Sequence, residues 1–196
     1  MSKFVEYRDL ATPKLKSMLL QLQPTQRRSL LVRLGKELEV QLKKYFAQRD
    51  QEGNKRGFPS QHFWARQVRA KTAFREATAD KATVGIDSPP FRMKLTGGTI
   101  RPGPGRRFLA IPVRPEAYGV LPRAGTIPGL FPIRSKILGK AWLATQEGGA
   151  LRFYWRLVPS VHQNPDPRAL PPVAELRAAL EQRADKEIAR IVQQAK

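Results

Sequence analysis

Residues 94–115, KLTGGTIRPGPGRRFLAIPVRP, most limit what this chain can fold into. Pro102 and Pro104 lack the amide hydrogen that a helix interior or central strand requires, while Gly103 and Gly105 loosen the backbone between them, so no regular element runs through these four residues. Gly97 and Gly98 mark a turn, after which Thr99 and Ile100 begin a β-type run. Phe108, Leu109, Ala110, Ile111 and Val113 form an apolar run of strand length, closed by Pro112 and Pro115. The local reading is a β-hairpin in which residues 99–101 pair with 108–113, with Arg101, Arg106 and Arg107 on a proline-stiffened tip.

The pattern before this stretch is mainly helical. Residues 1–23 read as an N-terminal arm or short helix. From Pro24 the apolar residues Leu31, Leu34, Leu38, Leu42 and Tyr45 recur at steps of three and four, one stripe of a helix reaching about Arg49. Arg33, Lys36, Lys43 and Lys44 lie mostly off that stripe and read as a solvated face. Residues 50–59 form a loop. Phe63, Trp64, Val68 and Phe74 are then interleaved with His62, Arg66, Arg69, Lys71 and Arg75. Such a mixture stacks on bases in some proteins, but Phe63, Trp64 and Val68 are large enough that packing inward from a second short amphipathic helix is the favoured reading. Residues 82–86 are β-prone, and residues 87–90 end that run.

After the proline-glycine stretch, residues 116–132 have no apolar period and read as a long loop or arm to which an oligomeric partner would supply contacts. Residues 141–145 and 151–161 form the clearest hairpin, joined through Gly148 and Gly149. Alternation in its second strand sends Leu151, Phe153, Trp155 and Leu157 to a core and places Arg152, Tyr154 and Arg156 on the opposite face. A proline-rich connector, residues 163–172, leads to Val173, Leu176, Leu180, Ala184, Ile188 and Ile191, the stripe of a C-terminal helix. The expected fold is therefore α+β: a small antiparallel β-sheet packed with a long N-terminal amphipathic helix and a C-terminal helix. One domain spans residues 24–196, with extended Pro/Gly-rich loops at 101–107, 116–132 and 163–172.

Charge narrows the partners. With 36 Lys and Arg against 16 Asp and Glu, the formal net charge is +20, a surface suited to polyanions or to an acidic protein. From residue 173 onward the basic and acidic counts nearly balance, so the charge belongs to the body of the chain and not to a tail. No apolar window is long enough to span a membrane and no secretory leader pattern opens the sequence, so a cytosol-like compartment is expected. The chain has no cysteine, which removes disulfides, thiol catalysis and zinc-thiolate sites together.

The sequence holds few residues suited to catalysis or metal binding. His62 and His162 are the two histidines, and neither has a carboxylate at ligand spacing. His162, Gln163, Asn164 and Asp166 faintly suggest a His-Asn-His metal nuclease, but the second metal-binding histidine and its helix are missing. Gly97, Gly98, Gly103 and Gly105 fail as a phosphate cradle, because the two prolines remove amide donors and a strand, not a helix, follows. No catalytic residue, cofactor site or metal site is expected. The candidate DNA- or partner-contact residues are Arg101, Arg106, Arg107, Arg152 and Arg156. Each alone reads as ordinary charged surface, but against +20 together they suit sequence-independent phosphate neutralisation.

The order of a long N-terminal helix, the segment with Phe63 and Trp64, a short strand, the turn-and-strand GGTIRP at residues 97–102, the strand LAIP at 109–112, and a late strand reaching Val158 and Pro159 before the helix from Val173 resembles the tailed-bacteriophage virion morphogenesis and tail completion family, with Mu-type and lambda-type relatives. The resemblance covers residues 24–192. The insertion at residues 103–105 and the loop at 116–132 are larger than in the compact relatives. The resemblance implies a non-enzymatic structural virion protein, a tail completion or head-tail joining (neck) subunit that forms a homo-oligomer ring around the DNA passage. It further implies adjacent neck, connector or tail-tube proteins and non-specifically held genomic DNA as partners, no membrane, and a place in the virion tail or neck after assembly in the host cytoplasm. The alternative is a cytosolic basic nucleic-acid-binding protein, with a nuclease as its enzymatic form. Light scattering across salt concentrations separates the two, since only a ring subunit assembles.

Overall fold

The structure, a computed structural model, describes residues 22–53, 56–135 and 139–194, and the backbone of Val5–Glu6. Its class is the expected α+β: a long N-terminal helix, a C-terminal helix and small antiparallel sheets. The chain gathers into two compact units. One comprises Met1–Gln51, His62–Leu95 and Asp166–Lys196, the other Glu52–Gln61 and Thr96–Pro165.

The first unit is built around α1 (Pro24–Gln51). The stripe Leu31, Leu34, Leu38 and Leu42 is buried as its spacing predicts, widened by Leu30 and Phe46. Against it lies a three-stranded antiparallel sheet in the order β1-β3-β2, formed by β1 (Val5–Glu6), β2 (Thr72–Ala77) and β3 (Ala82–Ile86). Of the expected N-terminal arm or short helix, Val5 and Glu6 are therefore a strand, paired with Ile86 and Gly85, and residues 7–21 lie outside the described residues. Gly35 brings α1 close to the sheet: a Cβ there would stand 2.5 Å from Phe74 Cε2. Glu39 on the same helix accepts the Phe74 amide at 2.9 Å, satisfying a donor on the edge strand β2.

Phe63, Trp64 and Val68 do pack inward, but from a single π-helical turn at Trp64–Val68 and not from a second full helix; Phe74 already belongs to β2. Trp64 stacks on Phe46 with centroids 6.0 Å apart, and Arg49 lies over the indole at 4.7 Å while donating to Asp166 at 3.0 Å. Trp64 is half-buried and packs against the edge of this core. Pro89 and Pro90, read as a strand terminator, also begin a short helix, α2 (Pro89–Thr96). Proline suits the first helical turn, and the Ser88 hydroxyl caps it by accepting from the Phe91 amide at 3.3 Å. The C-terminal helix α3 (Val173–Gln194) buries Leu176, Leu180 and Ala184 in the same core.

The second unit holds two antiparallel sheets. β4 (Gly98–Ile100) pairs with β9 (Val161–Gln163), and β5 (Leu109–Pro112), β6 (Phe131–Arg134), β7 (Ala141–Glu147) and β8 (Ala150–Val158) form a four-stranded sheet in the order β5-β8-β7-β6. The hairpin expected between residues 99–101 and 108–113 is thus not formed. Its first strand pairs with β9 and its second with β8. Two local elements near in sequence lost to two longer-range pairings, because β8, anchored by the tight β7–β8 hairpin, offers a long unpaired edge to Leu109–Pro112.

The hairpin β7–β8 turns through Gly148 and Gly149, at φ 57° and 81°, the left-handed pair that a two-residue turn needs. The segment read as a long arm, residues 116–132, instead covers one side of this sheet: Ala117 is fully buried, and Val120, Ile127 and Leu130 pack on Tyr154 and Trp155.

Candidate contact surface

Arg101, Arg106 and Arg107 occupy the connection between β4 and β5, where the sequence places them on a stiff exposed loop. The Arg106 amide donates to the Gly103 carbonyl at 3.1 Å, closing a turn with Pro104 and Gly105 at its centre. Gly105 has φ 73°, the left-handed geometry that such a Pro-Gly turn requires at its second central residue. All three arginines are exposed, and a Cβ on Gly103 or Gly105 would meet nothing within 4 Å. Among the described residues none of the three makes an ion pair. The loop is therefore a short proline-braced turn whose exposed side chains no described residue neutralises. With the hairpin absent, the arginines are set by the ends of two sheets and not by a single ribbon.

Arg152 and Arg156 do not share a face. The pairing of Leu143 with Trp155 and of Ala144 with Phe153 leaves Tyr154 as an extra residue, a β-bulge that shifts the alternation by one. On the covered side lie Arg152, Tyr154, Trp155 and Leu157; on the other lie Leu151, Phe153 and Arg156. The expectation that Leu151 and Phe153 point to the core, and Tyr154 away from it, is corrected by this one inserted residue. Tyr154 is buried, while Leu151 and Phe153 are exposed.

Arg152 is committed within the unit. Its Nη1 donates to Glu147 Oε2 at 2.6 Å, and that hydrogen bond leads in holding the Glu147 carboxyl below the ordinary glutamate range. The same contact raises the Arg152 guanidinium in turn. Tyr154 and Thr145 hydroxyls approach the second Glu147 oxygen at 3.5 and 3.4 Å. Arg156 has no such partner among the described residues and stands opposite Trp142, with Ile111 on its other side.

Sequence reasoning missed the surroundings of Arg156. Phe131, Ala144 and Phe153 are aligned across three strands, and Ile133, Trp142, Arg156 and Ile111 form the adjacent row. The signal for this face existed only in the cross-strand register, which the bulge sets.

The two histidines build no ligand set. His162 Nδ1 lies 3.5 Å from the Thr99 hydroxyl. In the other unit His62, in the left-handed region at φ 52°, sets its Nδ1 2.8 Å from Asp50 Oδ2. Both carboxylate oxygens of Asp166 are engaged, one by Arg49 and one by the Arg168 amide. Among the described residues no group of three or more His, Asp or Glu could hold a metal ion. No described helix is long and apolar enough to cross a membrane. No family model matches the chain, and no curated protein or solved structure is significantly similar to it.

Proposed function

We propose that this chain is a structural protein of a tailed-bacteriophage virion, a tail completion or head-tail joining subunit that assembles as a homo-oligomer ring around the DNA passage. The observation that carries the reading is the loop between β4 and β5, the two strands that bear the family resemblance. It exposes Arg101, Arg106 and Arg107 with no counter-charge among the described residues. In a ring, one such loop from each copy would line the opening with guanidinium groups. They would neutralise phosphates without reading bases, which suits a duplex that must move through. The proline-braced turn keeps the groups extended at little entropic cost. Neighbouring neck, connector or tail-tube proteins would contact the remaining surface, and the reading needs no cofactor and no catalytic group.

The experiment is assembly. Light scattering of the purified protein over a range of salt concentrations is expected to show oligomers of defined size. Complementation of a phage lacking the gene with the Arg101→Ala, Arg106→Ala, Arg107→Ala triple variant is expected to yield few infectious particles. A strict monomer with tight, salt-sensitive DNA binding would instead support the cytosolic nucleic-acid-binding alternative, and full infectivity of the triple variant would remove the loop from the mechanism.

A further inference from the structure

Among the described residues, the side of the four-stranded sheet turned away from Ala117, Tyr154 and Trp155 keeps large apolar side chains exposed, although Ala144 between Phe131 and Phe153 is buried. Phe131, Leu151 and Phe153 on it remain 37%, 47% and 36% exposed, more than a sheet core allows. Phe153 and Trp142 meet edge to face at 5.4 Å, so the aromatic surface is held in one arrangement. Arg156 stands opposite Trp142, in the row next to Phe153, with no ion pair among the described residues.

We infer that this face, centred on Trp142, Phe153 and Arg156, is a docking surface for a segment of another protein that presents apolar side chains together with carboxylates. Charge decides the occupant. Between Thr96 and Pro165 the chain has ten basic residues and only two acidic ones, Glu116 and Glu147, and Glu147 is held by Arg152. A second copy docked through this same sheet would bring the same cationic field against itself and would leave Arg156 facing no free carboxylate. A single-stranded nucleic acid fits less well. Trp142 and Phe153 are inclined at 60°, so they do not form a run of parallel stacking platforms, and the row that holds Trp142 and Arg156 ends on both sides in an aliphatic residue, Ile133 and Ile111. An acidic, apolar segment satisfies both features: its apolar groups cover Phe131, Leu151 and Phe153, and one carboxylate reaches the Arg156 guanidinium in a partly dehydrated setting where a charge-assisted pair is strong. The inference rests on the bulged sheet and stands whether or not the chain is a ring subunit.

The test uses the full chain and fluorescein-labelled probes at physiological salt: a peptide alternating Glu with Leu and Phe, its Gln-for-Glu counterpart, its Ser-for-Leu/Phe counterpart, and an oligothymidylate. The acidic apolar peptide is expected to bind at least about tenfold more tightly than either counterpart. Arg156→Gln and Phe153→Ser are each expected to weaken it about tenfold, while Arg101→Ala changes it little. Arg156 is exposed, so its variant keeps the fold even if Phe153→Ser does not; unchanged circular dichroism confirms this. Three outcomes overturn the proposal: equal binding of the Ser counterpart and the acidic apolar peptide, oligothymidylate binding that Arg156→Gln and Phe153→Ser abolish, or self-association that the same variants abolish.

Discussion

Glu187 on α3 is buried, yet three arginines converge on its carboxylate: Arg183 at 2.9 Å on one oxygen, Arg33 of α1 at 3.1 Å and Arg190 at 3.2 Å on the other. Replacing it with Gln keeps the shape and removes the charge. The side chains of Arg33, Arg183 and Arg190 are 37%, 41% and 43% exposed, so water rescues part of what the carboxylate supplied, and the full cost of breaking a buried pair, about 3–5 kcal/mol, does not apply. Mutual repulsion of the three guanidiniums, and the Arg183 Nε that is already buried without a partner, keep the loss above that of an exposed pair. We expect Glu187→Gln to cost about 1.5–2.5 kcal/mol in urea unfolding with an unchanged m value, and Glu187→Ala about 1 kcal/mol more for the vacated volume. A double-mutant cycle of Glu187→Gln with Arg33→Met should return a coupling of about 1 kcal/mol or more. A Glu187→Gln loss within about 0.5 kcal/mol of zero would refute the reasoning, because it would mean that apolar contacts alone join α1 and α3.

Gly35→Ala sets about 1 kcal/mol of gained helix propensity against a Cβ that would lie 2.5 Å from the Phe74 ring and 3.2 Å from Ala82 Cβ. Overpacking of that kind costs about 1–3 kcal/mol, so a net lowering of the melting temperature is expected, and a rise would show that the sheet yields freely. For Asp50, burial raises the carboxyl pKa, but hydrogen bonds from His62 and the Ala65 amide outweigh it and leave the folded value lowered; Glu39 is lowered likewise by Lys43 and the Phe74 amide against its burial. Both therefore stabilise above the unfolded carboxylate range, near pH 4, and that contribution disappears as pH falls through the lower folded values. Asp50→Asn should lower the melting temperature at neutral pH, with the gap to the unaltered protein closing in acid; a gap constant down to pH 2 would contradict this. Finally, replacing Arg101, Arg106 and Arg107 with Ala should reduce the slope of log affinity for duplex DNA against log salt by about 2–3, read by fluorescence anisotropy, and an unchanged slope would mean that the loop touches no phosphate.

The elements legible in the sequence are those whose signal is local. α1 and α3 declare themselves through stripes such as Leu31, Leu34, Leu38 and Leu42, because an amphipathic face repeats every three or four residues whatever it later packs against. The β7–β8 hairpin is legible because Gly148 and Gly149 supply a turn that few other residues can make. The Arg101, Arg106 and Arg107 loop is equally local, since prolines and glycines dictate an exposed turn on their own.

What tertiary structure alone decided is partnership. Residues 99–101 and 108–113 are both strands, yet which strand each one joins depended on the edge that β8 offers, and no local pattern encodes that choice. The contact face was decided by a single extra residue: the bulge at Tyr154 turned Arg152 toward Glu147 and the covered side, and left Arg156 among exposed aromatics. Strand alternation has a period of two, so one inserted residue exchanges the two faces beyond it, and only the pairing register reveals where that exchange occurs.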